Sequence, residues 1–234
     1  MKLREGWLEI ERTASTQADA ERLIESNKND IGVVFAHDQT AGRGRFGREW
    51  LSRQGESLTM SLIFWDYPDW ESPWLIGMSA ALAAAKAIGC NLRWPNDLFF
   101  GDRKVGGALT ELISTPDHKR IPVVGVGLNL GQREFPPKIP FATSVYRETG
   151  SLLEPGRVAV SIISEIRALP EPNAWSDLEP EWRRLDRTPG KSYVLPDGRI
   201  ATAITINADG VLKCRSGSEE CVVYAADALF GAAH

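Results

Sequence analysis

The sequence predicts an α+β chain, with a mixed central sheet carrying packed helices and a small C-terminal β-barrel. Three observations lead there. Apolar runs rich in strand-forming residues recur at Ile31–Ala36, Ser57–Trp65 and Ile121–Leu130. Helical segments lie between them, and one, residues 74–88, is apolar almost all round with Lys86 as its only charge, so it belongs inside a core. From Pro189 onward the pattern changes to four short strands divided by Gly-containing turns. A chain of 234 residues can hold a main domain with a small annex, and the change of pattern divides it into 1–186 and 187–234.

In chain order, residues 7–12 alternate and read as a first strand. Thr16 and Asp19 have capping-box spacing, and the helix they open carries Ala20, Leu23 and Ile24 inward, running to about Asn27. Ile31–Ala36 is a buried strand. Residues 39–56 are rich in Gly and Arg without periodicity, and read as a loop. Ser57–Trp65 is a strand, Asp66–Pro73 a turn, and 74–88 the buried helix. Leu92–Phe100 reads as a strand broken at Pro95-Asn96-Asp97, with Gly101-Asp102 turning into a return strand over Lys104–Ser114. Ile121–Leu130 is a central strand, 131–145 a Pro-rich loop, and Gly156–Leu169 and Trp175–Leu185 are helices. The last four strands fall at about 192–196, 199–206, 211–215 and 220–224. An annex this small buries little core alone and is expected to dock on the main domain.

Composition removes several functions. No window approaches the 18 uninterrupted apolar residues of a membrane span, and the N-terminus lacks the apolar segment of a secretory signal. A net charge of −4 argues against a duplex nucleic-acid binder. Any polyanion must therefore meet a local cluster of cations. Cys90, Cys214 and Cys221 are odd in number and lack metal-site spacing, which fits a reducing compartment.

Gly42, Gly44 and Gly47 match the dinucleotide fingerprint, but no helix follows them, as that fingerprint requires. The chain also lacks the P-loop pattern. Arg43, Arg45 and Arg48 supply a different basis for phosphate binding. Alternate residues of an extended stretch point the same way, so Arg43 and Arg45 can reach one anion together, and guanidinium groups match phosphate oxygens in pairs. The glycines suggest a lid that folds over its ligand. A solvated basic surface loop is the plain alternative.

A Gly101-Asp102 turn brings Asp97 near Lys104, where a carboxylate would keep the amine protonated and aimed or orient a metal-bound water. An exposed ion pair of little energetic weight is the alternative. By simple alternation Lys104, Gly106, Ala108 and Thr110 share one face of their strand, and Gly125, Gly127 and Asn129 share one face of theirs. Together they would form a slot for something flat, although glycines that admit a packed helix would look the same.

GRGRFGREW, RWPNDLFFGDRKVGGALTE and GVGLNL, in this order and at these separations, resemble the catalytic domain of biotin protein ligases. Ser15-Thr16-Gln17 stands where that family has Ser-Thr-Asn. The resemblance implies a class II synthetase-like fold with an SH3-like C-terminal domain. It implies an enzyme that joins biotin to AMP using ATP and magnesium, releasing pyrophosphate, and then transfers biotin to a lysine of the biotin carboxyl carrier domain of acetyl-CoA carboxylase. It places Lys104, Arg43, Arg45 and Asp97 in catalysis. Biotin falls to Ser15, Thr16, Gln17, Gln39, Gly42, Arg43, Trp50, Lys104, Gly106, Gly125 and Gly127. ATP falls to Arg45, Arg48, Trp50, Asn96, Lys104 and Asn129, and the metal to Asn96 and Asp97. A cytoplasmic setting follows, and monomers and homodimers both fit.

Gln17 departs from the family's Asn by one methylene, and Arg93 stands in place of Lys ahead of Trp94. Only 14 residues precede Ser15, which leads us to expect the form without a DNA-binding domain. Two other readings remain open. A lipoate or octanoate ligase shares the fold but places His-Asp after its loop, whereas His37-Asp38 lies before it here. A non-catalytic biotin-binding regulator would not need Lys104 or the arginine loop. The chemistry itself asks for cations where charge develops, not for an acid–base dyad, because a carboxylate is already ionised at pH 7.

Overall fold

The computed structural model describes residues 1–195 and 197–224. The strands are β1 (Gly6–Thr13), β2 (Ile31–Gln39), β3 (Gly42–Arg43), β4 (Glu49–Trp50), β5 (Ser57–Ile63), β6 (Asn91–Arg93), β7 (Asp97–Phe100), β8 (Arg103–Ser114), β9 (Arg120–Asn129), β10 (Ser192–Val194), β11 (Ile200–Ile206), β12 (Leu212–Ser216) and β13 (Glu219–Val223). The helices are α1 (Thr16–Glu25), α2 (Pro73–Ile88), α3 (Val145–Thr149), α4 (Pro155–Ala168) and α5 (Trp175–Leu185).

Seven strands form the central sheet in the order β1-β2-β5-β9-β8-β7-β6. Only β1 and β2 run parallel, so the sheet is mixed. Alternation divides its residues between two faces. Leu58, Met60 and Leu62 of β5 and Val124, Val126 and Leu128 of β9 point into the main core with α2 and α4. Pro73 opens α2, and Gly89 at φ +68° ends it in the left-handed conformation a side chain resists. The opposite face carries Val34, Ile63 and Val123 under Ala20 and Ile24 of α1. No helix among the described residues is long and apolar enough to cross a membrane.

Two local readings change. The capping box at α1 does not form: the Ser15 side chain makes no cap hydrogen bond, and Asp19 accepts from Thr13 Oγ1 at 2.6 Å instead. Residues 92–100 are not one broken strand. Arg93 pairs with Asp97 and Leu92 with Leu98, so β6 and β7 form a hairpin of their own that reverses through Trp94-Pro95-Asn96.

The C-terminal strands form an antiparallel sheet in the order β10-β11-β12-β13. Pro196 and residues 225–234, which belonged to the expected strand at 192–196 and the expected domain at 187–234, lie outside the described residues. This sheet docks behind the β6–β7 turn. Trp94 donates its indole N–H to the Gly210 carbonyl at 2.9 Å and its backbone N–H to Thr188 Oγ1 at 2.8 Å. Tyr193 donates to the Trp94 carbonyl at 3.2 Å, and their rings meet edge-on. The segment entering this sheet is pinned as well, with the Arg187 N–H on the Leu92 carbonyl.

Candidate active site

At the N-terminal end of α1, the sheet face that this helix covers opens into a cavity of about 770 Å³, in the size range of small-molecule sites. Much of its floor is bare backbone, from Gly107 of β8 and Gly125 and Gly127 of β9. Strand glycines let a neighbour come close. A Cβ on Gly127 would stand 2.6 Å from the Trp50 ring, and one on Gly125 would stand 3.1 Å from Gln17 Oε1.

The slot was expected to include Gly106, and the structure corrects this. Leu98 pairs with Gly106 but Phe99 with Lys104, so a bulge falls between them. The extra residue reverses the alternation. Lys104 therefore shares its face with Gly107, whereas Ala108 and Thr110 turn toward α2. A Cβ on Gly77 of α2 would strike Thr110 Oγ1, and one on Gly106 would strike the Gly127 carbonyl at 2.5 Å. Gly106 thus serves close strand packing. The bulge is held from outside the ladder: the Lys104 N–H donates to the Phe141 carbonyl and its carbonyl accepts from the Thr143 N–H, both at 2.8 Å.

Lys104 Nζ lies 2.6 Å from Asp97 Oδ1, with the carboxylate side chain 7% exposed and the lysine 40%. The plain surface-pair reading fails on the carboxylate side, because Asp97 is buried. Beside it, Arg45 donates to Asn96 Oδ1 at 3.3 Å, and the Asn96 amide donates to the Ala108 carbonyl. Burial lowers the Arg45 pKa from its ordinary value, and Asp97 opposes the shift. A half-buried guanidinium in this position gains from an incoming anion.

The Gly/Arg segment is the irregular loop expected, tightened by the two-residue strands β3 and β4. It does not remain extended through Arg45. A 3₁₀ turn covers Arg45–Gly47, with Phe46 at φ +59°. Arg43 and Arg45 are thus not aligned by alternation, but Arg43, Arg45 and Arg48 all line the cavity. Including Lys104 and Lys138, five cations face it against the carboxylates of Glu49 and Asp97. A chain of net charge −4 therefore concentrates positive charge at this one place.

At the far end, Ser15, Thr16, Gln17 and Gln39 line the wall. The Thr16 N–H donates to Gln39 Oε1 at 2.9 Å. Gly42 is packed between the Gln39 side chain and the Trp50 carbonyl, which makes it a support for both. Trp50 lines the cavity, and its indole nitrogen is buried without a partner among the described residues. Asn129 lines the cavity too, but its amide is engaged, donating to the Thr143 carbonyl at 3.0 Å and accepting from Gln132 at 3.3 Å.

Magnesium commonly uses one or two carboxylates together with substrate phosphates. Asp97 and Asn96 supply one carboxylate and one amide beside the cations, a set that fits an ion carried mainly by a nucleotide. Among the described residues, no three His, Cys, Asp or Glu gather as a resident metal cage.

Sequence reasoning missed Gly107, Ser61, Glu111, Phe135, Lys138 and Phe141. Gly107 was hidden by the bulge. Ser61 comes from a distant strand and lacks a local signature, while Glu111 closes the motif that begins at Arg93 but shows no partner in sequence. The other three sit in the Pro-rich loop, whose aromatic and basic residues were the available signal.

Residues 9–129 match the family described as biotin/lipoate A/B protein ligase. The bifunctional ligase/repressor BirA of Bacillus spizizenii is 34% identical over 159 residues, covering 64% of this chain and 49% of that protein, so the chain spans about half its length. The biotin--[acetyl-CoA-carboxylase] ligase of Mycobacterium tuberculosis is 30% identical, covering 96% of this chain and 90% of the relative. The biotin protein ligase of Aquifex aeolicus, solved in complex with biotin and ATP, superposes with a TM-score of 0.75 at 25% identity over 96% of this chain and 98% of the other. By motif, fold and extent of match, the chain belongs to the biotin/lipoate A/B protein ligase family.

Proposed function

We propose that the chain is a biotin protein ligase, which activates biotin with ATP and passes it to a lysine of a biotin carboxyl carrier domain. The observation that carries this reading is the convergence of Lys104, Arg43, Arg45 and Arg48 on one cavity floored by Gly107, Gly125 and Gly127. The glycines admit a flat ring and chain against the strands, and the cations stand where two anions must meet.

In the first step a biotin carboxylate oxygen attacks the α-phosphorus. The bond to the β-phosphate breaks, and pyrophosphate leaves. Both partners are anionic, so the barrier falls as cations neutralise the developing charge. Lys104, fixed by Asp97, lies between the tail carboxylate and the α-phosphate. Arg45, steadied by Asn96, takes phosphate, with Arg43 and Arg48 closing over it from the loop. Magnesium, when bound on the nucleotide phosphates, adds charge neutralisation, and Asn96 and Asp97 are the residues that would hold it. Ser15, Thr16, Gln17 and Gln39 take the ring, while Trp50 covers the tail and excludes water from the adenylate. In the second step Asp97 takes a proton from the acceptor ammonium, and the neutral amine attacks the acyl carbon. An amide forms and AMP leaves.

The cations converge on a cavity, a shape that suits a nucleotide and not a duplex, so DNA is not part of the proposal. Every group named comes from one copy, so the site needs no homodimer. A cytoplasmic setting follows from the carrier substrate. The test is ATP-dependent mass gain on a carrier domain, with biotin and lipoate in parallel. Biotin transfer alone is the expected result. Lipoate transfer would move the chain to the other branch of its family, and no transfer would leave a binding protein.

A further inference from the structure

Gln17 lies on α1 and is 6% exposed. Its Nε2 donates to Glu111 Oε2 of β8 at 2.9 Å, and its Oε1 accepts from Ser61 Oγ of β5 at 2.8 Å. Ser61 is fully buried and also lies 2.9 Å from Thr16 Oγ1, which in turn reaches Gln39 Oε1 at 3.2 Å. In this chain of amides and hydroxyls, an ionised carboxylate is the one member that can only accept. Glu111 therefore fixes the direction of the network. It takes the amine end of Gln17 and turns the carbonyl end toward Ser61 and the Gly125 floor.

We infer that Glu111 is a positioning residue for ring recognition, holding Gln17 so that its carbonyl accepts from a ring N–H of the substrate. This deepens the ligase reading and rests on it. The inference identifies the chemistry selected as a cyclic urea with N–H donors beside its carbonyl, as opposed to a disulfide ring that lacks them. It also accounts for Gln in place of Asn at position 17, because the longer arm reaches across to β8. Without Glu111 the amide can rotate and present its NH₂ to the ring, setting donor against donor.

The test is biotin-dependent ATP–pyrophosphate exchange by Glu111→Ala, Glu111→Gln and Gln17→Asn. Glu111→Ala should raise KM for biotin about five- to tenfold, the effect of one hydrogen bond, with kcat and KM for ATP within about twofold. Glu111→Gln offers Gln17 a carbonyl acceptor but can also donate, so it should restore KM only in part. Gln17→Asn, too short to span to β8, should resemble Glu111→Ala, and combining the two should add nothing further. The inference is overturned if Glu111→Ala leaves KM for biotin unchanged, if kcat falls in its place, or if the two substitutions add. Should Glu111→Ala fail to fold, Gln17→Asn and Glu111→Gln still decide it. Wild-type protein without biotin-dependent exchange would remove the ligase reading itself, an outcome distinct from an active wild type with an indifferent Glu111→Ala.

Discussion

Lys104 faces Asp97 across 2.6 Å because a single extra residue between Leu98–Gly106 and Phe99–Lys104 turns the lysine onto the cavity side of β8. Without that bulge Lys104 would point toward α2. If the amine neutralises the transition state, Lys104→Ala should lower biotin-dependent pyrophosphate release by about 10²–10³-fold. Near-normal release would remove the lysine from the chemistry.

The same bulge decides which of two adjacent glycines shares the face of Lys104. Gly106→Ala would push a methyl to 2.5 Å from the Gly127 carbonyl, which is backbone and cannot yield easily. It should cost about 1–3 kcal/mol in a urea melt. Gly107→Ala meets Asp97 Oδ1 at 3.1 Å. It should leave the melt nearly unchanged while slowing turnover by about tenfold or more, through displacement of the Asp97–Lys104 pair. Equal effects on stability and turnover in both variants would contradict the assigned faces.

Tyr193→Phe removes a buried donor to the Trp94 carbonyl while keeping the ring contact. A loss of about 1 kcal/mol is expected on denaturant unfolding. Turnover should fall further than stability alone explains, because Trp94 leads directly into Asn96 and Asp97. Unchanged turnover would mean that the C-terminal sheet supports the hairpin without tuning it.

Burial raises the pKa of Asp186 above its ordinary value, with hydrogen bonds from Thr188 working against the shift. At low pH the carboxyl is protonated in both the folded and the unfolded chain and contributes no difference. As pH rises through the ordinary carboxylate value the unfolded chain ionises first, so folding loses stability until the raised folded value is passed. Asp186→Asn keeps the acceptor for Thr188 and should be more stable than wild type at pH 7, with the gain vanishing near pH 3. A gain independent of pH, read by thermal melts across that range, would assign it to some other cause.

What could be read along the chain follows physical range. Residues 74–88 and 121–130 announce themselves because a mostly buried element is apolar on nearly every side. The Gly/Arg loop was equally plain, since nothing periodic competes with its glycines. The β6–β7 reversal stayed hidden because Pro95 breaks a strand in sequence without showing which way the chain then turns. The face of Gly107 depended on a bulge held by Phe141 and Thr143, more than thirty residues away. The link from Gln17 to Glu111 spans 94 positions, and Asp19 preferred Thr13 to its own helix end. Local pattern reaches the elements, while register and partners are settled by the packed sheet.

Trp50 rests against Gly127, on the strip of strand where a ring or its tail would lie. The indole is therefore a tenant of the room it guards. A ligand taking this strip would first have to evict it, so its affinity would be a contest between two occupants. Trimming Trp50 to a smaller residue would vacate the strip in advance and make admission easier, at the expense of a door that no longer shuts.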